Sequence, residues 1–186
     1  MKLNMGCGSK RIEGFLGVDK FKTVATDILW DLEATPWPWE NNSVSAFAFI
    51  HCLEHLGGDT PTFLNIIKEI QRVAKPMATV TIHVPHPRHD NYLGDPTHVR
   101  PITPQCLSLF DRQKNEEWVK GGVSAATPLG IFLEVDLRIT QAQVVLDSRW
   151  QAQLASGQKT LEEISEAAQN LNNVISDWHI ECVVVK

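Results

Sequence analysis

The chain lacks most of what would mark a membrane protein, a nucleic-acid binder or a disulfide scaffold. No apolar run approaches the roughly 20 residues that span a bilayer, so no membrane association is predicted. Lysine and arginine (17) are outnumbered by aspartate and glutamate (22), and the net charge of −5 leaves no basic footprint for nucleic acid. Its four cysteines (Cys7, Cys52, Cys106 and Cys182) are scattered, with neither metal-ligand nor framework spacing. No basic-then-apolar leader stands ahead of Leu3. Together these features predict a cytoplasmic protein with reduced thiols. Repeats, low-complexity tracts and linkers are also missing. What remains is ordinary: 186 residues, 43% hydrophobic and 21% charged, the size and composition of one domain (1–186) with a real core.

Strand-like runs fall at about 2–5, 14–19, 26–30, 44–51 and 77–84. Between the last two, Phe63, Ile66, Ile67, Ile70, Val73 and Ala74 recur at helical spacing, and Lys75-Pro76 ends a helix predicted over 60–75. Strands this uniformly apolar, AFAFIHCL and ATVTIHVP, suit a parallel sheet covered on both faces. Beyond residue 130 the runs 131–139 and 142–146 read as strand, in one long or bulged element. Thr160 then opens a helix with Glu163 completing a capping box. Leu161, Ile164, Ala168, Leu171 and Val174 or Ile175 form its expected buried stripe, and 180–185 closes the chain as a strand. The fold class is therefore α/β, a Rossmann-like three-layer sandwich whose mostly parallel sheet carries a C-terminal antiparallel edge strand. Residues 1–85 form a cofactor-binding half, 86–130 a substrate-side loop and helix, and 131–186 the C-terminal strands with a helical insertion.

The chemistry begins at the first strand, which runs straight into Gly6-Cys7-Gly8, while a second ends on Asp19. Glycines at a strand's carboxyl end let a ligand approach the backbone, because no Cβ intervenes. An acid at the tip of the next strand can accept from both hydroxyls of a ribose. Such a pair describes a nucleoside pocket, although a lone Gly-x-Gly is equally a tight turn.

Further along come Asp31-Leu32, a Trp-Pro-rich turn, Asn41-Asn42-Ser43, a buried strand and His51-Cys52-Leu53-Glu54-His55-Leu56. With the glycine loop and Asp19, this series resembles the class I S-adenosylmethionine-dependent methyltransferases. The match is to a small, type 11-like branch written LNLGCG, VD, DL…PW and a strand followed by H-x-LEHL, over roughly residues 2–85. The resemblance implies S-adenosylmethionine as cofactor, with Gly6, Cys7 and Gly8 near its methionine and ribose portions and Asp19 on the ribose hydroxyls. It implies Asp31 near the adenine amino group, Leu32 against the ring and His51 at the methionine end. Three departures stand out. Asn4 replaces the acid often found two residues before the first glycine; it is kept as a cofactor-side hydrogen bonder. Only eleven positions separate Gly8 from Asp19, so the usual first helix must shrink to a turn. No residues ahead of Leu3 supply the helices that cover the cofactor in relatives, and the expected cover is the later segment 82–110.

That segment holds His83, His86, His89, Asp90, Asp95, His98 and Arg100. Its block GDPTHVRPIT, residues 94–103, resembles the GD-x-THVRP-x-T block of the same branch. Arg100 is predicted to clamp a carboxylate or phosphate and Asp95 to orient an acceptor, both as substrate-binding residues. His98 is the first candidate for a general base and His55 the second. Glu54 and His55 would open a helix after the fourth strand, where capping is their bland role. His86-x-x-His89 and Asp95-x-x-His98 have loose metal spacing, and no metal is assigned. Of the tryptophans, Trp30, Trp37 and Trp39 bracket the cofactor region, Trp30 and Trp150 as packing residues. Cys7 is a space-filler with no adjacent base.

The predicted activity is methyl transfer from S-adenosylmethionine to a small-molecule or glycan-like acceptor, with a homodimer kept open as an assembly. The alternatives are a non-catalytic module that keeps the fold for binding or assembly, and an NAD-dependent oxidoreductase. The second should show a fuller G-x-G-x-x-G helix opening than Ser9-Lys10-Arg11 provides.

Overall fold

Leu3, Met5, Val18, Phe47, Phe49, Val80, Ile82 and Val84 are all fully buried, and the short apolar strands that carry them lie side by side. The computed structural model describes residues 1–123 and 125–186. Its strands are β1 (Lys2–Met5), β2 (Leu16–Asp19), β3 (Ile28–Leu29), β4 (Val44–Ile50), β5 (Ala74–Pro85), β6 (Leu137–Leu146) and β7 (Ile175–Val184). They form one seven-stranded sheet in the order β3-β2-β1-β4-β5-β7-β6. Strands β1 to β5 pair in parallel, whereas β7 pairs antiparallel with both β5 and β6. The antiparallel edge is therefore β6; the C-terminal strand lies inside it. The order reverses at β1 and β4, and the carboxyl ends there are where an open α/β sheet binds ligands.

Helices are α1 (Thr60–Val73), α2 (Asp90–Leu93), α3 (Pro104–Ser108), α4 (Arg112–Lys120), α5 (Leu129–Phe132), α6 (Ser148–Ala155) and α7 (Leu161–Asn170). Among the described residues no helix is long and apolar enough to cross a membrane. Helix α1 joins β4 to β5 and buries the predicted stripe of Phe63, Ile66, Ile67, Ile70 and Val73. The Asp59 side chain caps it by accepting from Thr62 N at 2.9 Å. It stops at Val73 and passes directly into β5, two residues short of the predicted end. The links from β1 to β2 and from β2 to β3 contain no helix, as the short Gly8–Asp19 span requires.

Two C-terminal expectations need correction. The strand predicted at 131–139 begins at Leu137, and Leu129–Phe132 is a helical turn instead. The buried Asn115 side chain accepts from Gly130 N at 2.7 Å and from Ile131 N at 3.4 Å, drawing that apolar segment into the turn. The long strand is bulged between Ile139 and Gln141. In α7 the Thr160–Glu163 capping box is present, but of the expected stripe only Ile164 is buried within the helix. Leu161 is 70% exposed, the helix ends at Asn170, and Val174 and Ile175 belong to the chain entering β7.

Candidate functional site

At the carboxyl ends of β1 to β4 the chain forms an open cleft of about 210 Å³. Gly6, Asp19, Lys20, Phe21, Asp31 and Leu32 line one side, and His51, Cys52, His55 and Leu56 the other, with Glu33 between them.

The first side is shaped by backbone. Gly6 has φ +64°, and a Cβ there would lie 2.3 Å from Cys52 Sγ. Gly8 has φ +51° with open space around its Cα. The Asp19 carboxylate accepts from Gly8 N at 2.8 Å and Phe21 N at 2.9 Å, which fixes it between the glycine loop and the turn after β2. Each oxygen keeps a further lone pair for a ligand hydroxyl. Asp31 turns the next loop by accepting from Glu33 N at 3.0 Å, and the Trp37 indole donates to Leu32 O at 2.9 Å, holding Leu32 in the wall.

Asn4 and Cys7, expected among the cofactor contacts, are not in this lining. Asn4 is buried and donates to Lys10 O at 3.0 Å, so it braces the loop from beneath. The Cys7 thiol packs inward beside Thr26, and burial raises its pKa. Cys52 does reach the cleft, yet burial, followed by the charge of Glu54, pushes its thiol far up; it is a small apolar wall residue.

On the second side, His51 sits at the tip of β4 with φ +51° and its N–H bonded to His83 O at 2.9 Å. Its Nδ1 lies 3.7 Å from Glu54 and its Nε2 3.9 Å from Asp177, ion-pair distances at which the Glu54 carboxylate raises the His51 pKa against its partial burial. Glu54 and His55 do not open a helix. They belong to a 3₁₀ turn, Leu53–His55, that has no side-chain cap. Residues 97–100 dock on this turn, with Val99 N and Arg100 N both donating to Glu54 O, at 2.9 and 3.3 Å.

This docking revises the roles expected of the histidine-rich segment. His98 lies behind His55, their ring centroids 4.5 Å apart, and only His55 lines the cleft. Arg100 is engaged within the protein: it donates to Gly57 O at 3.0 Å and stacks 4.5 Å above the Phe63 ring, outside the cleft lining. Asp95 is also outside the lining; it accepts from Thr97 N at 2.8 Å and Thr97 Oγ1 at 2.6 Å, and those bonds lower its pKa. His83 stacks on His179 at 3.6 Å within the sheet. The His89 side chain caps α2 by accepting from Asn91 N, and its Nε2 lies 3.5 Å from Asp147, away from His98. Lys20, Phe21 and Glu33 escaped the sequence reading, although Lys20 and Phe21 directly follow Asp19 at a strand tip, which was the available signal; Cys52 and Leu56 stood in the His51-to-Leu56 motif without a role.

No family model matches this chain, nor does any curated protein. Solved structures do. A SAM-dependent methyltransferase from Archaeoglobus fulgidus superposes with TM-score 0.58 and 17% identity, covering 97% of this chain and 84% of that one. An S-adenosylmethionine-dependent methyltransferase from Mesorhizobium loti gives 0.50 and 14%, over 97% and 89%. The chain has the class I S-adenosylmethionine-dependent methyltransferase fold. The cyclase SpnF shares it too, at TM-score 0.53 and 14% identity over 98% and 74%, so the methyltransferase fold does not by itself dictate the reaction.

The residues present fit the cofactor that this fold implies. A glycine backbone without Cβ, a fixed carboxylate with free lone pairs and an apolar flank from Leu32 meet in one cleft.

Proposed function

We propose that this protein transfers a methyl group from S-adenosylmethionine to an oxygen or nitrogen atom of a small-molecule or glycan-like acceptor. The observation that carries the reading is the Asp19 carboxylate, pinned by Gly8 N and Phe21 N at the rim of a cleft that Gly6 keeps open. Asp19 holds the ribose hydroxyls, Asp31 and Leu32 the adenine, and Gly6 and His51 flank the methionine end. When bound, the cofactor supplies a methyl group on a positively charged sulfur, which is already a strong electrophile. The chain's task is then alignment of the acceptor, which alone removes much of a bimolecular barrier.

His55 is the histidine of the acceptor side that reaches the cleft. The Thr97 hydroxyl donates to Asp95 and therefore accepts from His55 Nδ1, 2.9 Å away. That tautomer puts the ring's lone pair on His55 Nε2, with His98 supporting the ring from behind.

Calorimetric titration with S-adenosylmethionine, its demethylated product and NAD tests the reading. Binding of the first two without NAD is expected. Binding of NAD alone overturns it in favour of an oxidoreductase, and binding of none favours an assembly module.

A further inference from the structure

Glu54 is 1% exposed, and neither of its carboxylate oxygens has a hydrogen-bond partner among the described residues. A carboxylate is rarely left this way, because removing it from water is costly unless a cation or donors compensate. His51, at 3.7 Å, is about half exposed and divided between Glu54 and Asp177. Two other side chains converge on the same point: one donor atom each from Glu54, His55 and His98 lies within 4.8 Å of the other two.

The hydrogen bonds around the two rings prepare them as ligands. His98 Nδ1 lies 2.9 Å from Tyr92 O, a carbonyl that only accepts, so this nitrogen carries the proton and Nε2 keeps its lone pair. His55 is set the same way through Thr97 and Asp95. Imidazoles that bind metal ions are characteristically steered through their other nitrogen by carbonyls and carboxylates. The docking bonds from Val99 N and Arg100 N to Glu54 O hold the loop bearing His98 against the turn bearing the other two.

We infer that Glu54, His55 and His98 form a binding site for one divalent transition-metal ion, with an open coordination position facing the cleft for an oxygen of the acceptor. Two imidazoles and one carboxylate suit zinc, iron(II) or cobalt better than calcium or magnesium. Three protein ligands are also the number that leaves room for water or substrate. Sequence spacing assigned no metal because His98 is remote from the Glu54-His55 pair, and the nearer spacings, His86 with His89 and Asp95 with His98, drew attention instead. The purpose given to the open position rests on the methyltransferase reading; the binding of the ion does not.

The test is titration of the chelator-stripped full chain with Co²⁺ alone, followed by its visible absorption, with thermal unfolding as a check on the variants. One Co²⁺ per chain is expected, with affinity at least about tenfold weaker in Glu54→Gln and in His98→Ala. If either variant fails to fold, Thr97→Val at an exposed position replaces it, again with about tenfold weakening expected. No stoichiometric binding to the wild type, or unchanged affinity in a folded variant, overturns the site. Calorimetry with S-adenosylmethionine on the same samples separates the two readings. Cofactor binding without Co²⁺ sinks only the metal site; Co²⁺ without cofactor sinks only the methyltransferase reading.

Discussion

The two sides of the cleft are built by opposite means. On the side of Gly6, Gly8 and Asp19, the main chain does the shaping: glycines lie at positive φ and one carboxylate is clasped by two backbone N–H groups. On the side of Glu54, His55 and His98, a 3₁₀ turn and a loop more than forty residues further on are joined by side chains that relay hydrogen bonds between them. A backbone-built wall tolerates no added Cβ where it meets another segment, as at Gly6. A side-chain wall tolerates exchange of its parts but depends on each one's charge and tautomer.

The sharpest way to break the first side is Gly17→Ala in β2. A Cβ there would stand 2.0 Å from Ala25 O and 3.0 Å from Cys7 Sγ, neither of which can yield without moving the strand that presents Asp19. A loss of about 3 kcal/mol in urea unfolding is expected; a loss within the error of the wild type would show that the close approach is unimportant.

The next effect comes from the clamp behind Leu32. Glu69 accepts from Trp37 N at 2.6 Å and pairs with Arg72, while Arg72 also donates to the Trp37 and Trp39 carbonyls at 3.0 Å each. Burial raises the Glu69 pKa, but the bonds from Arg72 and Trp37 outweigh it and the net pKa is lowered. A lowered carboxyl stabilises the fold fully above its unfolded pKa of about 4.3 and loses that contribution as the pH falls through the folded value. Wild-type unfolding free energy should therefore drop more steeply below that pH than in Glu69→Gln, which should cost about 2 kcal/mol near neutrality. Parallel curves would contradict the clamp.

On the second side, Arg100→Ala should cost about 1 kcal/mol, the scale of a cation–π contact and one hydrogen bond. Part of that loss is offset because its buried Nε has no partner among the described residues. Cofactor affinity should not change. Stability equal to the wild type, with weakened acceptor binding, would restore Arg100 as an anion clamp.

The same contrast explains how much the sequence revealed. Gly6 and Asp19 are legible because strand ends announce themselves through apolar runs stopping at glycine or acid, whereas Asp31, Leu32 and His51 are legible only through the resemblance to the methyltransferases. The Glu69–Arg72 clamp and the convergence of Glu54 with His98 depend on contacts between distant segments, which no local pattern encodes. His98 and Arg100 were recognised as residue types able to do chemistry, but their partners decide what they do: Tyr92 O fixes one ring and Phe63 absorbs the other's charge. The strand expected at 131–139 differs for another reason. Its apolar residues suit strand or helix equally, and one buried side chain, Asn115, settles the choice.

Asp19 is the point at which the whole functional account can be tried. Calorimetry with S-adenosylmethionine on the wild type and on folded Asp19→Ala measures what its carboxylate contributes. The account expects tight, one-to-one binding that weakens roughly tenfold to a hundredfold in the variant, the range for hydrogen bonds to a charged group. Equal affinity in the two proteins would contradict it, because the cofactor would then be held without the residue around which the cleft is built.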